Sequence, residues 1–268
     1  MFSLINTAYA AETSGEGISV HLAPYVLGQI GGMPITSTLM TSWLAMLFLV
    51  VFAYFVSRSL KPVPGKFQGM VEMIVGGMYT FVENTLENKQ VARKYFPILM
   101  TIFLFLLVMN WTGLLPGVTS IGFFEGHGEG KHLIPLFYPP ATDLNIAIAF
   151  AFISMIVIEF AGIVALGAFK YGGKFINFSG KGIGQRLLNF VVGIIELISE
   201  LGRLVSFSFR LFGNIFAGKT LLVVAMFFVP LILPVPILLY ETFVGFIQAG
   251  VFMFLTLIFI KLAIAEPH

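Results

Sequence analysis

A chain of 268 residues that is 58% hydrophobic and only 10% charged lies far from soluble composition, where about a quarter of residues carry charge. Its apolar runs exceed the ~20 residues that cross a bilayer and do not alternate as barrel strands do, so the fold class is all-α and polytopic, with about five to six helices. The net charge of +2, with basic residues at the edges of apolar runs, gives no nucleic-acid-binding arm, and the absence of cysteine excludes disulfides, thiolate catalysis and thiolate metal sites.

Residues 1–35 read as an external segment ahead of a membrane domain over 36–268. MFSLINTAYAAE contains Ala8-Tyr9-Ala10, the small-residue pattern of a signal-cleavage site, but it lacks a basic start and has only a short apolar stretch, so retention is expected. Glu12 and Glu16 and the lack of Arg argue against a mitochondrial transit peptide. The first span is expected from Leu39 to Val56, with Trp43 near its outer end and Arg58 and Lys61 past its inner end. Residues 65–88 mix apolar and polar groups as an amphipathic interfacial helix does. A second span, Phe96 to Leu115, follows Arg93 and Lys94 and stops at Pro116. The Gly-, Pro- and His-rich residues 116–142 read as an external loop or short hairpin, and a third span runs from Leu144 to Phe169.

The distribution of Lys and Arg assigns the sides. Arg58, Lys61, Lys66, Lys89, Arg93, Lys94, Lys170, Lys174, Lys181, Arg186 and Lys261 fall on one face and Lys131 on the other, which puts the N-terminus outside. Arg203, Arg210 and Lys219 fall inside the next apolar segment instead. From Leu187 to Val229 there is no proline, so a single helix there would be roughly 65 Å long, about twice the ~30 Å hydrocarbon thickness. Either it breaks near Gly202 or Gly213, or it lies about 60° from the bilayer normal. Pro230, Pro234 and Pro236 then force a turn, and residues 237–265 return as a second long helix, giving a tilted hairpin over about 187–265.

Arg210 is the costliest residue in the chain. A guanidinium stays charged at physiological pH, a charge at bilayer depth costs at least ~2.5 kcal/mol, and the positions one helical turn away are Ser206, Phe207, Gly213 and Asn214, none an anion. Its partner must come from elsewhere. At 100° per residue, Glu196, Ser199, Glu200, Arg203, Ser206, Arg210 and Asn214 share an arc of about 120°, while Lys219 falls outside it. Glu200 and Arg203 are spaced for a local ion pair. On the return helix Glu241 and Gln248, seven residues apart, share a face that can oppose this stripe. Glu241 is the one carboxylate in the last apolar run, suited to a proton relay, and Lys219 can either pair with it or snorkel to the interface. Asn214 and Gln248 can orient water, hold Arg210 or join helices. Asp143, in PPATDLN, reads as a helix N-cap, and Glu159 as either a water-path carboxylate or a buried interhelical hydrogen-bonding group. His21, His127, His132 and His268 lie outside the apolar spans and make no metal site, and no HExxH, GxSxG or GxxxxGK[ST] motif occurs.

The segment SFSFRLFGNIFAG, followed some thirty residues later by FIQAGVFMFLTLIF, resembles subunit a of F-type rotary ATP synthases; PPATDLN and Glu196 ahead of the arginine fit the same family, and the likeness covers residues 35–266 in outline. The resemblance implies a stator subunit, non-catalytic by itself and without cofactor, whose tilted hairpin wraps a rotating c-subunit ring beside the b-subunit peripheral stalk, other ATP synthase subunits and membrane lipids. It maps the family's essential arginine to Arg210, its polar partners to Asn214 and Gln248, its relay group to Glu241, and the exit side to Glu196 and Ser199, with Ser206 beside them. Where the family often carries an acidic residue or His, this chain has Lys219, leaving Glu241 as the main relay candidate. The implied location is a bacterial plasma membrane, with the mitochondrial inner membrane as alternative. A self-contained secondary transporter or channel is the competing class; it favours inverted repeats and broken helices, neither evident in the sequence. An intramembrane enzyme would need a nucleophile with a base or a set of metal ligands, which the loop-confined histidines do not supply.

Overall fold

The computed structural model describes residues 24–30, 32–115, 117–125, 132–173, 183–230 and 232–265. Ala8-Tyr9-Ala10, Glu12, Glu16, His21, Pro116, His127, Lys131, Lys174, Lys181 and His268 lie outside these residues, as does the side chain of His132. A short antiparallel hairpin comes first, β1 (Val26–Ile30) paired with β2 (Met33–Thr36) from Val26 opposite Thr36 to Ile30 opposite Met33.

Helix α1 (Ser37–Arg58) starts two residues before the expected span because Thr36 caps it, accepting from Leu39 N–H at 3.3 Å. Two polar residues of its first turns bond back to the helix itself, Thr41 and Ser42 donating to the carbonyls of Ser37 and Thr38. Helix α2 (Lys66–Leu86) buries Val82 and Leu86 while Phe67, Met70, Met73, Ile74 and Phe81 stay exposed, the two-sided character expected of residues 65–88. It ends at Glu87, whose backbone is left-handed with φ 54°, and Asn88 at once caps α3 (Lys89–Thr112) through the N–H groups of Gln90 and Val91. That cap explains why α3 begins seven residues before Phe96.

The loop that follows holds a 3₁₀ turn (Val118–Ser120), a second antiparallel hairpin of β3 (Gly122–Glu125) and β4 (His132–Pro135), and another 3₁₀ turn (Pro140–Thr142). Asp143 then caps α4 (Leu144–Leu166), accepting from Asn145 N–H at 2.9 Å. Its second carboxylate oxygen accepts from the Thr38 hydroxyl at 2.9 Å, tying the start of α4 to the start of α1. Gly167, at φ 83°, closes α4 where a side chain would be strained, and the short α5 (Ala168–Gly172) follows.

Helix α6 (Ile183–Phe228) is one uninterrupted helix of 46 residues, so Gly202 and Gly213 do not break it and the first alternative is excluded. At about 69 Å it exceeds twice the hydrocarbon thickness. Helix α7 (Pro234–Ile264) starts at the proline cluster rather than after it, since the first turn of a helix needs no donor from Pro234 or Pro236. Five of the helices, α1, α3, α4, α6 and α7, are long and apolar enough to cross a membrane. The core lies between α3, α4, α6 and α7, where Leu99, Leu106, Leu211, Phe252, Leu257 and Ile260 are sealed from solvent. Helices α1 and α2 pack onto α3 from outside.

Interhelical bonds fix which ends are neighbours. Asn110 Nδ2 and Trp111 Nε1, in the last turn of α3, donate to the carbonyls of Gly245 and Thr242 at 2.9 and 3.1 Å, which locks the end of α3 beside the first half of α7. At the other end of α7, Lys261 pairs with Glu87 at 2.7 Å, beside the start of α3. The Lys261 ammonium holds the Glu87 carboxyl below its usual range, first by the hydrogen bond and then by charge.

Candidate functional site

The polar stripe of α6 does not lie on one surface; it straddles the edge of the packed face. Ser199, Ser206 and Arg210, at one margin of the arc, are exposed, Glu196, Arg203 and Asn214 in its middle are half-buried, and Glu200 at the other margin is buried. The hundred-degree step sets this order, and the packing of α4 and α7 against α6 decides which margin faces out.

Arg210 therefore points away from its own chain. Its guanidinium donates to the Ser206 hydroxyl at 3.1 Å, one turn earlier, and forms no ion pair among the described residues. Arg203 is the opposite case. It lies 2.9 Å from Glu200 and 3.6 Å from Glu196, and its guanidinium covers the Phe259 ring at 4.7 Å, so two carboxylates and an aromatic face on α7 satisfy it. The two arginines share a stripe and differ in whether the described residues supply the counter-charge.

Facing this stripe, Gln248 is buried in α7 and accepts from Asn214 Nδ2 at 3.2 Å, while its own amide nitrogen has no partner among the described residues. Asn214 is one turn past Arg210, so this bond pins α7 next to the guanidinium. Glu241 lies two turns toward the N-terminal end of α7, buried, with its carboxyl group seated on the backbone of Gly218; a Cβ there would overlap it. Close approach of helix to carboxylate requires this glycine.

Two clefts flank Arg210 along α6. One lies at the end of the molecule where α3 finishes and α4 begins, and is lined by Asn110, Pro139, Thr142, Gly218, Lys219 and Glu241. Its space for water is about 30 Å³, enough for two molecules. The other opens between α4 and α6, lined by Met155, Ile158, Glu200, Arg203, Leu204 and Phe207. Along the helix axis Arg210 is about 10 Å from Arg203 and about 14 Å from Lys219, so it separates the two. Lys219 does not pair with Glu241; its ammonium rests over the Tyr138 ring, 3.1 Å from the centre. Glu159 is half-buried on α4, with Oε1 unpartnered among the described residues, beside Tyr171, whose phenol pKa is raised by burial and by the Glu159 carboxylate. Ser199 donates to the carbonyl of Ile195, and Asp143 is spent on capping α4 and holding Thr38.

The arrangement offers an exposed permanent cation, a buried carboxyl in a cleft roomy enough for water, and a second carboxylate cluster on the far side of the cation. The family model described as ATP synthase A chain matches residues 39–261. The chain belongs to the ATP synthase A chain family. It is 32% identical over 247 residues to ATP synthase subunit a 1 of Pelobacter propionicus, covering 92% of this chain and 94% of that one. It is 32% identical over 248 residues to ATP synthase subunit a of Geobacter sulfurreducens, with the same coverage, and 33% identical over 217 residues to that of Campylobacter jejuni, covering 81% and 85%. As a member of the ATP synthase A chain family it is a multi-pass membrane component of an ATP synthase complex.

Tyr138 and Gly218 belong to this site and escaped the sequence reading. Neither carries charge or disturbs hydropathy, and only the fold brings them to Lys219 and Glu241. Asn110 left a visible signal, a lone amide in the last turn of an apolar span.

Proposed function

We propose that the chain is the ion-translocating stator subunit of the F-type ATP synthase, offering a c-subunit ring two half-channels, most simply for protons, that communicate only through a carboxylate on the ring. The single observation that carries this reading is the exposed Arg210, without an anion among the described residues, between one cleft that holds Glu241 and another that holds Glu200. A protonated ring carboxyl is neutral and can pass through lipid; its ionised form is held at Arg210, which supplies the counter-charge the bilayer does not. One proton enters through the water-accessible cleft at Glu241 and leaves past Glu200 and Glu196 after the ring has turned. Arg210 bars a direct route because a proton on that path would approach a fixed positive charge. Each transfer harvests about 2.3 kcal/mol per 100 mV of membrane potential. Catalysis of ATP synthesis lies elsewhere in the complex, with the b-subunit stalk holding this subunit still.

The bacterial relatives support a plasma-membrane location, and the basic residues at the inner ends of the spans support an external N-terminus. A self-contained transporter has less support, since α6 runs unbroken past Arg210 and offers no half-helix ends at mid-membrane. ATP-driven proton pumping in inverted membrane vesicles tests the proposal with Arg210→Ala: the reading requires its loss, and normal pumping overturns it.

Gly218→Ala gives an independent check on the relay. The added methyl displaces the end of a flexible Glu241 side chain rather than backbone, so the complex should assemble at normal levels while pumping falls several-fold, on the order of tenfold if proton transfer through Glu241 limits the rate. Unchanged pumping in an assembled Gly218→Ala complex would count against Glu241.

A further inference from the structure

The cleft at Glu241 contains a cation that ignores the anion facing the same space. Lys219 and Glu241 both line it, yet the Lys219 ammonium, buried and without a hydrogen-bond acceptor among the described residues, lies over the Tyr138 ring at 3.1 Å from its centre. In a medium of low dielectric an ammonium gains more from a carboxylate than from an aromatic face, so a ring that wins this contest must be held in place.

Tyr138 is so held. It is buried, and its backbone N–H donates at 3.0 Å to the Thr41 hydroxyl, which itself donates to the Ser37 carbonyl. The Ser37 hydroxyl donates to the Pro135 carbonyl, so the loop on both sides of β4's end is fastened to the first turns of α1. Tyr25 meets the ring edge-on with centroids 5.2 Å apart, and Pro139 and Pro140 stiffen the chain that follows. Burial pushes the phenol up to about 12, so the ring remains a neutral platform. Glu241 meanwhile sits on Gly218, whose neighbour Lys219 leaves the helix about 100° away. The two groups are near enough to share a cleft and are directed apart.

We propose that Tyr138 is a positioning residue of this half-channel: its ring keeps the Lys219 ammonium off Glu241, leaving that carboxyl free to take up and release a proton instead of serving as the fixed anion of a buried salt bridge. This rests on the relay role given to Glu241 above. It follows that the loop between α3 and α4 controls how fast protons enter.

The test compares ATP-driven proton pumping, normalised to assembled complex, in vesicles holding the whole synthase with Tyr138→Phe, Tyr138→Leu, Tyr138→Leu combined with Lys219→Met, and Glu241→Gln. Tyr138→Phe keeps the ring face and should pump like the parent. Tyr138→Leu releases Lys219 and should slow pumping about tenfold, and Lys219→Met in the same chain should restore it to within about twofold. Should Tyr138→Leu fail to assemble, Tyr138→Met, which also lacks a ring, takes its place. Parental pumping in the ring-less variant, or a slow variant that Lys219→Met does not rescue, overturns the proposal. If Glu241→Gln pumps normally, the relay reading itself falls; if Glu241→Gln is slow and the Tyr138 variants are not, only the positioning role does.

Discussion

Arg210→Ala is expected to reduce ATP-driven proton pumping by on the order of a hundredfold or more, with the complex still assembled. Removing one partner of a desolvated ion pair costs about 3 to 5 kcal/mol, because the other charge is left without compensation. On the proposed mechanism the orphaned charge is a ring carboxylate, which must ionise beside this subunit once in every passage. Every 1.36 kcal/mol is a factor of ten, so 3 kcal/mol already exceeds a hundredfold. The substitution is unlike a core truncation, because the guanidinium is exposed and its single described bond, to Ser206, lies within the same helix. Folding should therefore tolerate what function does not. Arg210→Lys should also fail in large part, since an ammonium lacks the planar fork that can hold Ser206 and a carboxylate at once. Removing the positive barrier should in addition let protons cross without rotation, seen as a passive leak in vesicles stripped of the catalytic sector. Pumping at the parental rate would contradict the assignment.

Glu241→Gln should lower proton flux through the assembled complex by at least about tenfold, in both the synthesis and the hydrolysis direction. The amide keeps the size and the hydrogen-bonding reach of the side chain but cannot exchange a proton. The loss should be smaller than for Arg210, since the cleft has room for about two waters that can carry part of the traffic. Glu241→Asp, which keeps the acid and withdraws it from Gly218, should fall between the two. A stopped-flow measurement of pH inside vesicles resolves the rates, and equal flux in Glu241→Gln and the parent would remove this residue from the path.

The five membrane-length helices were legible in the sequence because an apolar run long enough to cross a bilayer has few other uses. Their ends were less so. Ser37, Thr38, Thr41 and Ser42 lower the hydropathy of the first turns of α1, although two of their hydroxyls simply bond back to the helix. Continuity of α6 could not be decided, since Gly202 and Gly213 weaken a helix without stopping it, and what sustains α6 is packing by α4 and α7. The hairpin β1–β2 left no periodic pattern in strands of five and four residues, the first interrupted by Gly28 and the second by Pro34. Of the site, the polar stripe and the missing anion at Arg210 could be read by angle alone. The contrast with Arg203 could be read only in part: its spacing to Glu200 is local, while the Phe259 ring beneath it comes from another helix. Tyr138 and Gly218 were silent because their contributions, a platform and an absence of side chain, exist only once distant segments meet.

On the proposed reading the Arg210 face of α6 is the surface a ring carboxylate meets. Ala217, two turns beyond Arg210, is exposed on the same side, bears no hydrogen bond of the site and is small enough to replace without disturbance. The chain has no cysteine of its own, so Ala217→Cys provides one unambiguous thiol. Paired with a cysteine placed next to the carboxylate of a c-type ring subunit, it should form a disulfide under mild oxidation, which requires the two backbones to approach within about 7 Å. It should also stop pumping until reduced. Val50→Cys, also exposed but on α1, should give no such product. Crosslinking from Ala217→Cys no greater than from Val50→Cys would contradict the account.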